Sequence, residues 1–330
     1  MKERLDYIDA IKGFAILLVV MGHVLAWAFS SLSDVQALGK PMLLWNCIYA
    51  FHMPLFIFVS GFLFGLSRFP TTNSYITKVI NRFWRLIIPY FVCGVLVYLW
   101  RGVRPLTYWY LMTLFQLIVI IGGVNLTIDK IKNKKIGVFV ECVIIVILYL
   151  AFSLISKKYS HPWLSAYDWF PHLTQMFPYF ALGSFLSRHF DINSLMNNHI
   201  FSLSLIFFIA LLFVKVPYVY RFQALAGIYC TFYLFVVCFT SGRIVNYLKR
   251  IGKMTLYIYI IHFFIDISIV QLGDYFIWLS QTGKMGYVTC FVLQLIYSSV
   301  VSVVIIELSL LATKVIKTSK ILSFAFFGEK

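Results

Sequence analysis

The sequence contains little charge and very few acidic residues. Only 12% of its 330 residues are Asp, Glu, Lys or Arg, whereas soluble globular proteins average about 25%. Apolar residues make up 61% of the chain and aromatic residues 19%. So few polar residues cannot cover a soluble core of this size, and the high hydrophobicity excludes a disordered chain. The composition therefore indicates a protein that crosses a membrane several times.

The sequence also lacks the cysteine patterns of disulfide and metal frameworks. Its six cysteines include no CxxC pair, and all lie in or beside apolar stretches. We therefore expect small buried apolar side chains, with no disulfide and no metal site. The 28 Lys and Arg against 12 Asp and Glu give a net charge of +16. Because these basic residues are scattered among apolar runs, we do not expect a nucleic-acid partner.

Long apolar stretches without strand-like alternation predict an all-α, polytopic membrane bundle. No soluble domain interrupts the pattern, so residues 1–330 are predicted to form one domain. We identify about ten candidate transmembrane helices, at residues 9–29, 43–66, 84–100, 107–123, 136–155, 172–187, 200–214, 222–240, 255–272 and 286–312.

The distribution of Lys and Arg predicts the orientation of these helices. With ten spans and the N-terminus inside, 20 of the 28 basic residues fall in cytoplasmic segments and 8 fall outside. Removing the short sixth span gives 14 on each side, which shows no bias. The positive-inside rule therefore favours ten spans with both termini in the cytoplasm.

Ionisable side chains inside apolar helices are functional-site candidates because burying them is costly. In the first predicted helix, Lys12 and His23 lie about 20° apart around the axis, and Asp9 lies about 40° to the other side of His23. One face therefore has an acid and a base at the cytoplasmic end and an imidazole about 16 Å further along. The alternatives are a positive-inside anchor for Lys12 and a helix-to-helix hydrogen bond for His23.

The second predicted helix adds another imidazole. His52 and His23 are expected at nearly the same depth in a core about 30 Å thick, so the two rings would share a pocket. Pro54 removes a backbone hydrogen bond near His52, which is typical of helices that line a cavity. Ser60 is a candidate supporting residue, although packing of small residues explains it equally well.

Arg82 and Arg85 open the third predicted helix and share a face because they are three residues apart. A planar guanidinium donates paired hydrogen bonds, so two of them favour phosphate recognition. A positive-inside cluster is the alternative. His262 in the ninth predicted helix is a further candidate. Three acidic residues without an assigned role are expected to pair inside the bundle: Glu141, Asp266 and Glu307.

Together and in order, these residues resemble the acyltransferase 3 family of integral-membrane acyltransferases. The family includes bacterial enzymes that O-acetylate sugars of surface and secreted polysaccharides. Residues 4–13 resemble its opening, and Lys12, ten intervening residues and His23 resemble its basic residue and histidine, although many members have arginine where Lys12 stands. Further resemblances lie in residues 58–62, Arg82 with Arg85, 109–111, 179–183, 251–262 and, for the sugar O-acetylase subgroup, His52-Met53-Pro54.

The resemblance implies a membrane O-acetyltransferase in the inner membrane of a bacterium, without the esterase-like domain that some members have. It implies acetyl-CoA as the acyl donor, bound at the cytoplasmic face by Arg82, Arg85 and Lys12. It implies His23 as general base or transient acyl carrier, with His52 as a second catalytic candidate. The acceptor would be a hydroxyl of a glycan or of a lipid-linked sugar.

Two further expectations concern supporting residues. Asp9 would pair with Lys12 and set the charge at the cytoplasmic end of the first helix. Trp169, in the outer segment 165–171, would receive a sugar because aromatic faces suit sugar rings, with an interfacial aromatic belt as the alternative. Besides the acceptor, the expected partners are membrane lipids.

Two other functions remain open from the sequence. A secondary transporter or lipid-linked sugar translocase would use the same buried histidines as a proton relay. A sensor or structural membrane protein would use the buried polar groups only to pack helices.

Overall fold

The computed structural model describes residues 6–28, 43–67, 69, 71–102, 108–158, 169–213, 219–265 and 286–329, and within these ranges all regular structure is helical. The principal helices are α1 (Asp6–Ala28), α2 (Leu43–Tyr49), α3 (His52–Gly65), α4 (Thr72–Arg101), α5 (Trp109–Ile128), α6 (Lys134–Lys158), α7 (Trp169–His189), α8 (Asn198–Phe213), α9 (Tyr220–Tyr233), α10 (Arg243–Gly252), α11 (Thr255–Ile261), α12 (Tyr287–Ile316) and α13 (Lys320–Phe327).

Each of the ten predicted spans overlaps at least one helix of the described residues. Among the described residues, seven helical segments are long and apolar enough to cross a membrane, namely Asp6–Ala26, Leu43–Gly65, Thr72–Trp100, Trp109–Ile128, Lys134–Lys157, Tyr220–Cys238 and Phe291–Ile316. The other three predicted spans correspond to α7, α8 and α11. The all-helical membrane class is therefore confirmed, whereas the count of ten and the cytoplasmic termini stay predictions.

Large apolar side chains remain on the outside of several helices, as a lipid-facing surface requires. Only 6% of the apolar window of α6 is buried, against 78% for α1. Phe139 and Leu154 on α6 are 70% and 67% exposed. Patches of this extent are rare on soluble monomers and are typical of surfaces that face lipid. The same pattern makes α1 the core helix of its unit.

The chain divides into two compact units, of which the first comprises Met1–Phe56 and Met196–Lys314. In this unit α1 packs closely against α10, and glycines permit the contact. A Cβ on Gly13 would collide with the carbonyl of Leu248, and one on Gly252 would collide with the carbonyl of Asp9. The opposite half of α1 packs against α2 in an apolar cluster formed by Leu18, Met21, Leu25, Leu44 and Ile48.

The second unit comprises Ile57–Leu195 and Val315–Lys330. Residues 57–65 of α3 approach α7 so closely that a Cβ on Gly61 would collide with the carbonyl of Phe180. Asn125 on α5 donates to Ser184 on α7 at 3.2 Å, and both are buried. Close glycine contacts and buried polar pairs are the usual ways in which membrane helices associate without a hydrophobic driving force.

Two predicted spans differ in detail from the structure. The span at 43–66 is divided between α2 and α3, and Pro54 lies in the first turn of α3, where its missing N–H costs little. The span at 84–100 is the last part of α4, which begins twelve residues earlier. It begins there because Thr71 and Ser74 form a reciprocal capping box, a signal unrelated to hydropathy.

The expected burial of the cysteines is wrong at two positions. Cys93 and Cys230 are buried, whereas Cys142 and Cys238 are exposed. Both exposed thiols lie on helices that are long and apolar enough to span a membrane. A small apolar side chain on such a helix can therefore contact lipid as well as protein.

Candidate active site

Two histidines of the first unit lie side by side. His23 projects from α1, and His262 begins a short 3-10 turn that follows α11. Their ring centroids are 5.3 Å apart, and Phe263 packs its ring edge-on against His23 with centroids 4.7 Å apart. The structure therefore brings together the histidine of the first predicted span and that of the ninth, a pairing that the sequence did not predict.

His52 is the third imidazole of this group, because it lies close enough to His23 to interact electrostatically. It is buried at the break between α2 and α3, and its ring contacts Tyr49 with centroids 4.8 Å apart. Its Nδ1 lies 2.8 Å from the carbonyl oxygen of Ile48. The break in the predicted span thus supplies a hydrogen-bond acceptor for the imidazole.

Backbone carbonyls fix the tautomers of His52 and His262. The Nδ1 of His262 lies 3.0 Å from the carbonyl oxygen of Ile258, which repeats the geometry at His52. Because a carbonyl oxygen only accepts, Nδ1–H must be the donor in both rings. In the neutral ring the lone pair then lies on Nε2, which is the arrangement that a proton acceptor requires.

His23 differs from its two neighbours in accessibility. His262 is fully buried and His52 is 6% exposed, whereas His23 is half-buried. A reacting group must touch its substrate, and a buried neighbour can only orient or polarise it. Of the three histidines, His23 is therefore the most exposed and the best candidate to contact a substrate.

The N-terminal half of α1 contains the predicted ion pair. Asp9 Oδ1 lies 3.5 Å from Lys12 Nζ, and Asp9 is buried. Lys249 on α10 pairs with Asp6 at 3.1 Å, so a second ion pair joins α1 to α10 beside the glycine contact. Lys12 is thus held beside a carboxylate on its own helix, about 16 Å from His23 along the axis.

The two predicted arginines of the second unit have different surroundings. Arg85 is half-buried, and its Nη2 lies 3.4 Å from Oε1 of Glu329. Arg82 is exposed, and no carboxylate lies within ion-pair distance of it in the part of the chain that the structure describes. Arg82 is therefore the guanidinium of this pair with its donors available to an anion.

The helix α13 places Glu329 beside Arg85. Gly328 ends α13 with φ of 60°, a conformation that favours glycine, and it lies so close to the carbonyl of Trp84 that a Cβ would collide with it. Glu329 also pairs with Lys317 at 3.1 Å and accepts a hydrogen bond from Ser323 at 3.2 Å. The carboxylate is thus shared among three donors.

Ser60 hydrogen-bonds to Tyr110, with Oγ and the phenol oxygen 3.1 Å apart. Tyr110 is buried near the start of α5 and is an electrostatic neighbour of Arg82. The predicted supporting residue Ser60 is therefore linked to the predicted anion-binding Arg82 through a tyrosine. A hydroxyl pair of this kind orients side chains and adds no charge.

The remaining predicted residues are partly described by the structure. Trp169 is the first residue of α7, and its side chain lies outside the described residues, as do residues 165–168 of the outer segment. Glu141 pairs with Arg188 inside the bundle, as expected, whereas Glu307 pairs with Arg250 where both side chains are partly exposed. Asp266 lies outside the described residues. Within those residues, no three His, Cys, Asp or Glu side chains are placed to hold a metal ion.

Sequence reasoning did not assign roles to Tyr110 and Glu329. Tyr110 lies in one of the weaker family-like patterns, at 109–111, and that pattern was the available signal. Glu329 had no signal, because its contact with Arg85 joins residues 244 positions apart. Contacts of such separation depend on tertiary packing, which helix periodicity does not encode.

Residues 5–307 match the acyltransferase domain family known as acyltransferase 3. No curated protein and no solved structure matches the chain. The match covers His23, His52, Arg82, Arg85 and His262. Because it extends over nearly the entire sequence and the structure has several membrane-length helices, the chain belongs to the acyltransferase 3 family and is a multi-pass membrane acyltransferase.

Proposed function

We propose that this membrane acyltransferase is an O-acetyltransferase, which moves an acetyl group from cytoplasmic acetyl-CoA to a hydroxyl of a cell-envelope or exported glycan. The observation that supports it most is His23, an accessible imidazole in a core helix with two buried histidines as neighbours. An acyl transfer to a hydroxyl needs a group that takes one proton near neutral pH, and imidazole has that property.

The donor would bind through its phosphate groups. Arg82 suits this role because guanidinium donates pairs of hydrogen bonds to phosphate oxygens, and Arg82 is exposed without a carboxylate partner among the described residues. Arg85 and Lys12 each already pair with a carboxylate. They would join the donor site only by exchanging that carboxylate for a phosphate, so we assign the largest share of donor binding to Arg82.

In the general-base route, an imidazole nitrogen of His23 takes the proton of the acceptor hydroxyl. The hydroxyl oxygen then attacks the thioester carbonyl, the C–S bond breaks, and the leaving thiolate receives the proton from the imidazolium. In the acyl-carrier route, the imidazole nitrogen attacks the carbonyl first, the C–S bond breaks, and the leaving thiolate takes the ring proton. The acceptor hydroxyl oxygen then attacks the acetyl group, the bond between nitrogen and carbonyl carbon breaks, and the hydroxyl proton returns to the imidazole. His52 and His262 act as positioning residues in either route.

One quench experiment separates the two routes. Purified protein is mixed with acetyl-labelled acetyl-CoA without acceptor and denatured rapidly at neutral pH. Label on the wild-type protein that is absent from His23→Ala supports the carrier route. Full transfer activity without any protein-bound label supports the general base.

The proposed acceptor and location follow from the family. The enzyme would lie in the inner membrane of a bacterium, and Trp169 with the segment 165–171 would contact the sugar. Mass spectrometry of envelope and secreted glycans from cells with and without the gene tests this directly. Loss of acetyl esters from one glycan in the deleted strain supports the proposal, and identical glycans contradict it.

Membership of an acyltransferase family does not favour the transporter, translocase or structural alternatives. Proteoliposomes distinguish them from the enzyme. We expect acetyl transfer from acetyl-CoA without proton-coupled uptake of a sugar, and uptake without acetyl transfer would contradict the proposed function.

A further inference from the structure

A second group of charged side chains in the second unit takes no part in the proposed reaction. Arg188 on α7 is almost fully buried, and its Nη2 lies 2.9 Å from Oδ1 of Asp129. Its Nε lies 3.5 Å from Glu141 on α6, and Nε2 of His189 lies 2.8 Å from the other oxygen of Glu141. One buried network thus joins the ends of α5 and α7 to α6.

This network borders a pocket of about 200 Å³. Besides Asp129, the polar residues that line the pocket are all basic: Lys132, Lys134, Arg188 and His189. The volume is below the range of about 300–1,000 Å³ that drug-sized ligands occupy, so the pocket suits a small group instead of a whole cofactor.

The charges around the pocket sum to a positive excess. Asp129 and Glu141 are both engaged with Arg188, and Asp129 also accepts from the backbone N–H of Phe69 at 3.5 Å. Lys132 and Lys134 are exposed, and neither has a carboxylate partner in the described ranges. Two ammonium groups therefore remain at the pocket to attract an anion.

The helix α6 adds to this preference for anions. It begins at Lys134, and Lys134 and Gly137 of its first turn line the pocket. The N-terminus of a helix is electropositive because its first N–H groups have no partner inside the helix. Asn133 accepts from two of them, those of Lys135 and Ile136, and so starts the helix at the edge of the pocket.

His189 supplies an independent observation that points to a ligand. Its side chain is 9% exposed, its Nε2 is hydrogen-bonded to Glu141, and its Nδ1 is buried without a hydrogen-bond partner among the described residues. Buried polar atoms are rarely left unsatisfied, because the loss costs about 1–3 kcal/mol. Because the carboxylate of Glu141 only accepts, Nε2 carries the hydrogen of that bond, and in the imidazolium form Nδ1–H donates to a P–O oxygen of a phosphate group.

We propose that this pocket is a binding site for a phosphate group, distinct from the donor-binding arginines. Arg188 and His189 form its buried wall, and Lys132 and Lys134 contact the phosphate from the solvent side. The phosphate belongs either to the headgroup of an anionic lipid or to a soluble anion. The sequence topology places both lysines and Arg188 at the cytoplasmic face, where anionic headgroups are available.

The test uses two probes on the full-length protein. Purified protein in detergent is titrated with inorganic pyrophosphate by calorimetry, and protein in nanodiscs of phosphatidylcholine is compared with protein in nanodiscs that also contain phosphatidylglycerol. We expect saturable pyrophosphate binding if the natural ligand is soluble. We expect a higher melting temperature with phosphatidylglycerol, without pyrophosphate binding, if it is a lipid.

The decisive variant is Lys132→Gln with Lys134→Gln, and its matched control is Lys130→Gln with Lys135→Gln. Both remove two charges from the exposed lysines of residues 130–135, but the control residues do not line the pocket. The pocket variant should weaken pyrophosphate binding about tenfold, or reduce the increase in melting temperature with phosphatidylglycerol. The control variant should do neither. An equal loss in both variants, or no response of the wild type to either probe, would overturn the proposal.

The variant His189→Gln tests the buried wall, since the Gln amide nitrogen replaces Nε2 toward Glu141 and Nδ1 is lost. We expect unchanged acetyl transfer and weaker phosphate binding. Wild-type affinity in this variant would remove His189 from the site.

Discussion

The candidate functional side chains of the two units have opposite environments, mostly buried in the first unit and exposed or ion-paired in the second. In the first unit, His52 and His262 are buried and hydrogen-bonded to backbone carbonyls, and His23 is the most exposed of the three. In the second unit, Arg82 is exposed and Arg85 is paired with Glu329. A titratable group can be neutral, so it tolerates burial, whereas a guanidinium is always charged and needs water or an anion.

This difference in burial suits two different tasks, proton transfer in the first unit and anion binding in the second. Proton transfer benefits from a site with fixed dipoles and little water, because orientation is then set before the reaction. Anion binding needs donors that the anion can reach from solvent. We therefore assign the chemistry to the first unit and donor binding to the second, and each variant below is expected to impair one task and spare the other.

The largest expected effect is that of His23→Ala. Removing a general base or acyl carrier should lower kcat for acetyl transfer by about 10²–10⁴-fold, because the neighbouring imidazoles of His52 and His262 are buried. The rate is measured with labelled acetyl-CoA on protein that elutes as a single folded species. His199→Ala is the control, since His199 is exposed on α8 away from the three histidines. Equal loss in both variants would mean that the effect is not specific.

The next effect concerns stability. In Gly13→Ala the new methyl group would collide with the carbonyl of Leu248, and relief of the overlap would separate α1 from α10. We expect a loss of about 1–3 kcal/mol in the free energy of unfolding and a lower melting temperature. Gly123→Ala on α5 is the matched control, because the nearest atom to the added Cβ, the phenol oxygen of Tyr75, lies 4.0 Å away. Equal melting temperatures would refute the packing argument.

Arg82→Ala should act on donor binding alone. Loss of charge-assisted hydrogen bonds to phosphate should raise KM for acetyl-CoA about 10- to 100-fold with little change in kcat. Initial rates over a range of acetyl-CoA concentrations measure both constants. Arg243→Ala, which removes an exposed arginine from the start of α10, should leave them unchanged. A fall in kcat without a rise in KM would place Arg82 in the chemical step.

The smallest effect is expected from Glu329→Gln. It removes the carboxylate that competes with the donor for Arg85, so KM for acetyl-CoA should fall by at most about fivefold, the range of partly exposed ion pairs. Gln retains the size of the side chain, which limits any change in packing. The same initial-rate experiment measures it, and a higher KM would show that Glu329 supports donor binding.

The sequence predicted the helices and the polar face of α1 well. Asp9, Lys12 and His23 follow from the 3.6-residue period, and the Asp9–Lys12 ion pair is present at 3.5 Å. These features are local, so a single helix contains the information. The Arg82–Arg85 face is local for the same reason.

Other features of the site depend on tertiary packing. The sequence did not predict the contact between His23 and His262 or that between Arg85 and Glu329, because each joins residues more than 200 positions apart. Hydropathy also did not predict the break between α2 and α3, since the residues on both sides of the break are apolar. His52 nevertheless depends on that break for the carbonyl of Ile48.

Titration of acetyl-CoA into folded His23→Ala protein tests the separation of tasks most directly. We predict a Kd close to that of the wild type, together with the loss of acetyl transfer, while Arg82→Ala shows weakened binding in the same experiment. Loss of acetyl-CoA binding in His23→Ala, with the fold intact, would contradict the assignment of chemistry to the histidines and of donor binding to Arg82.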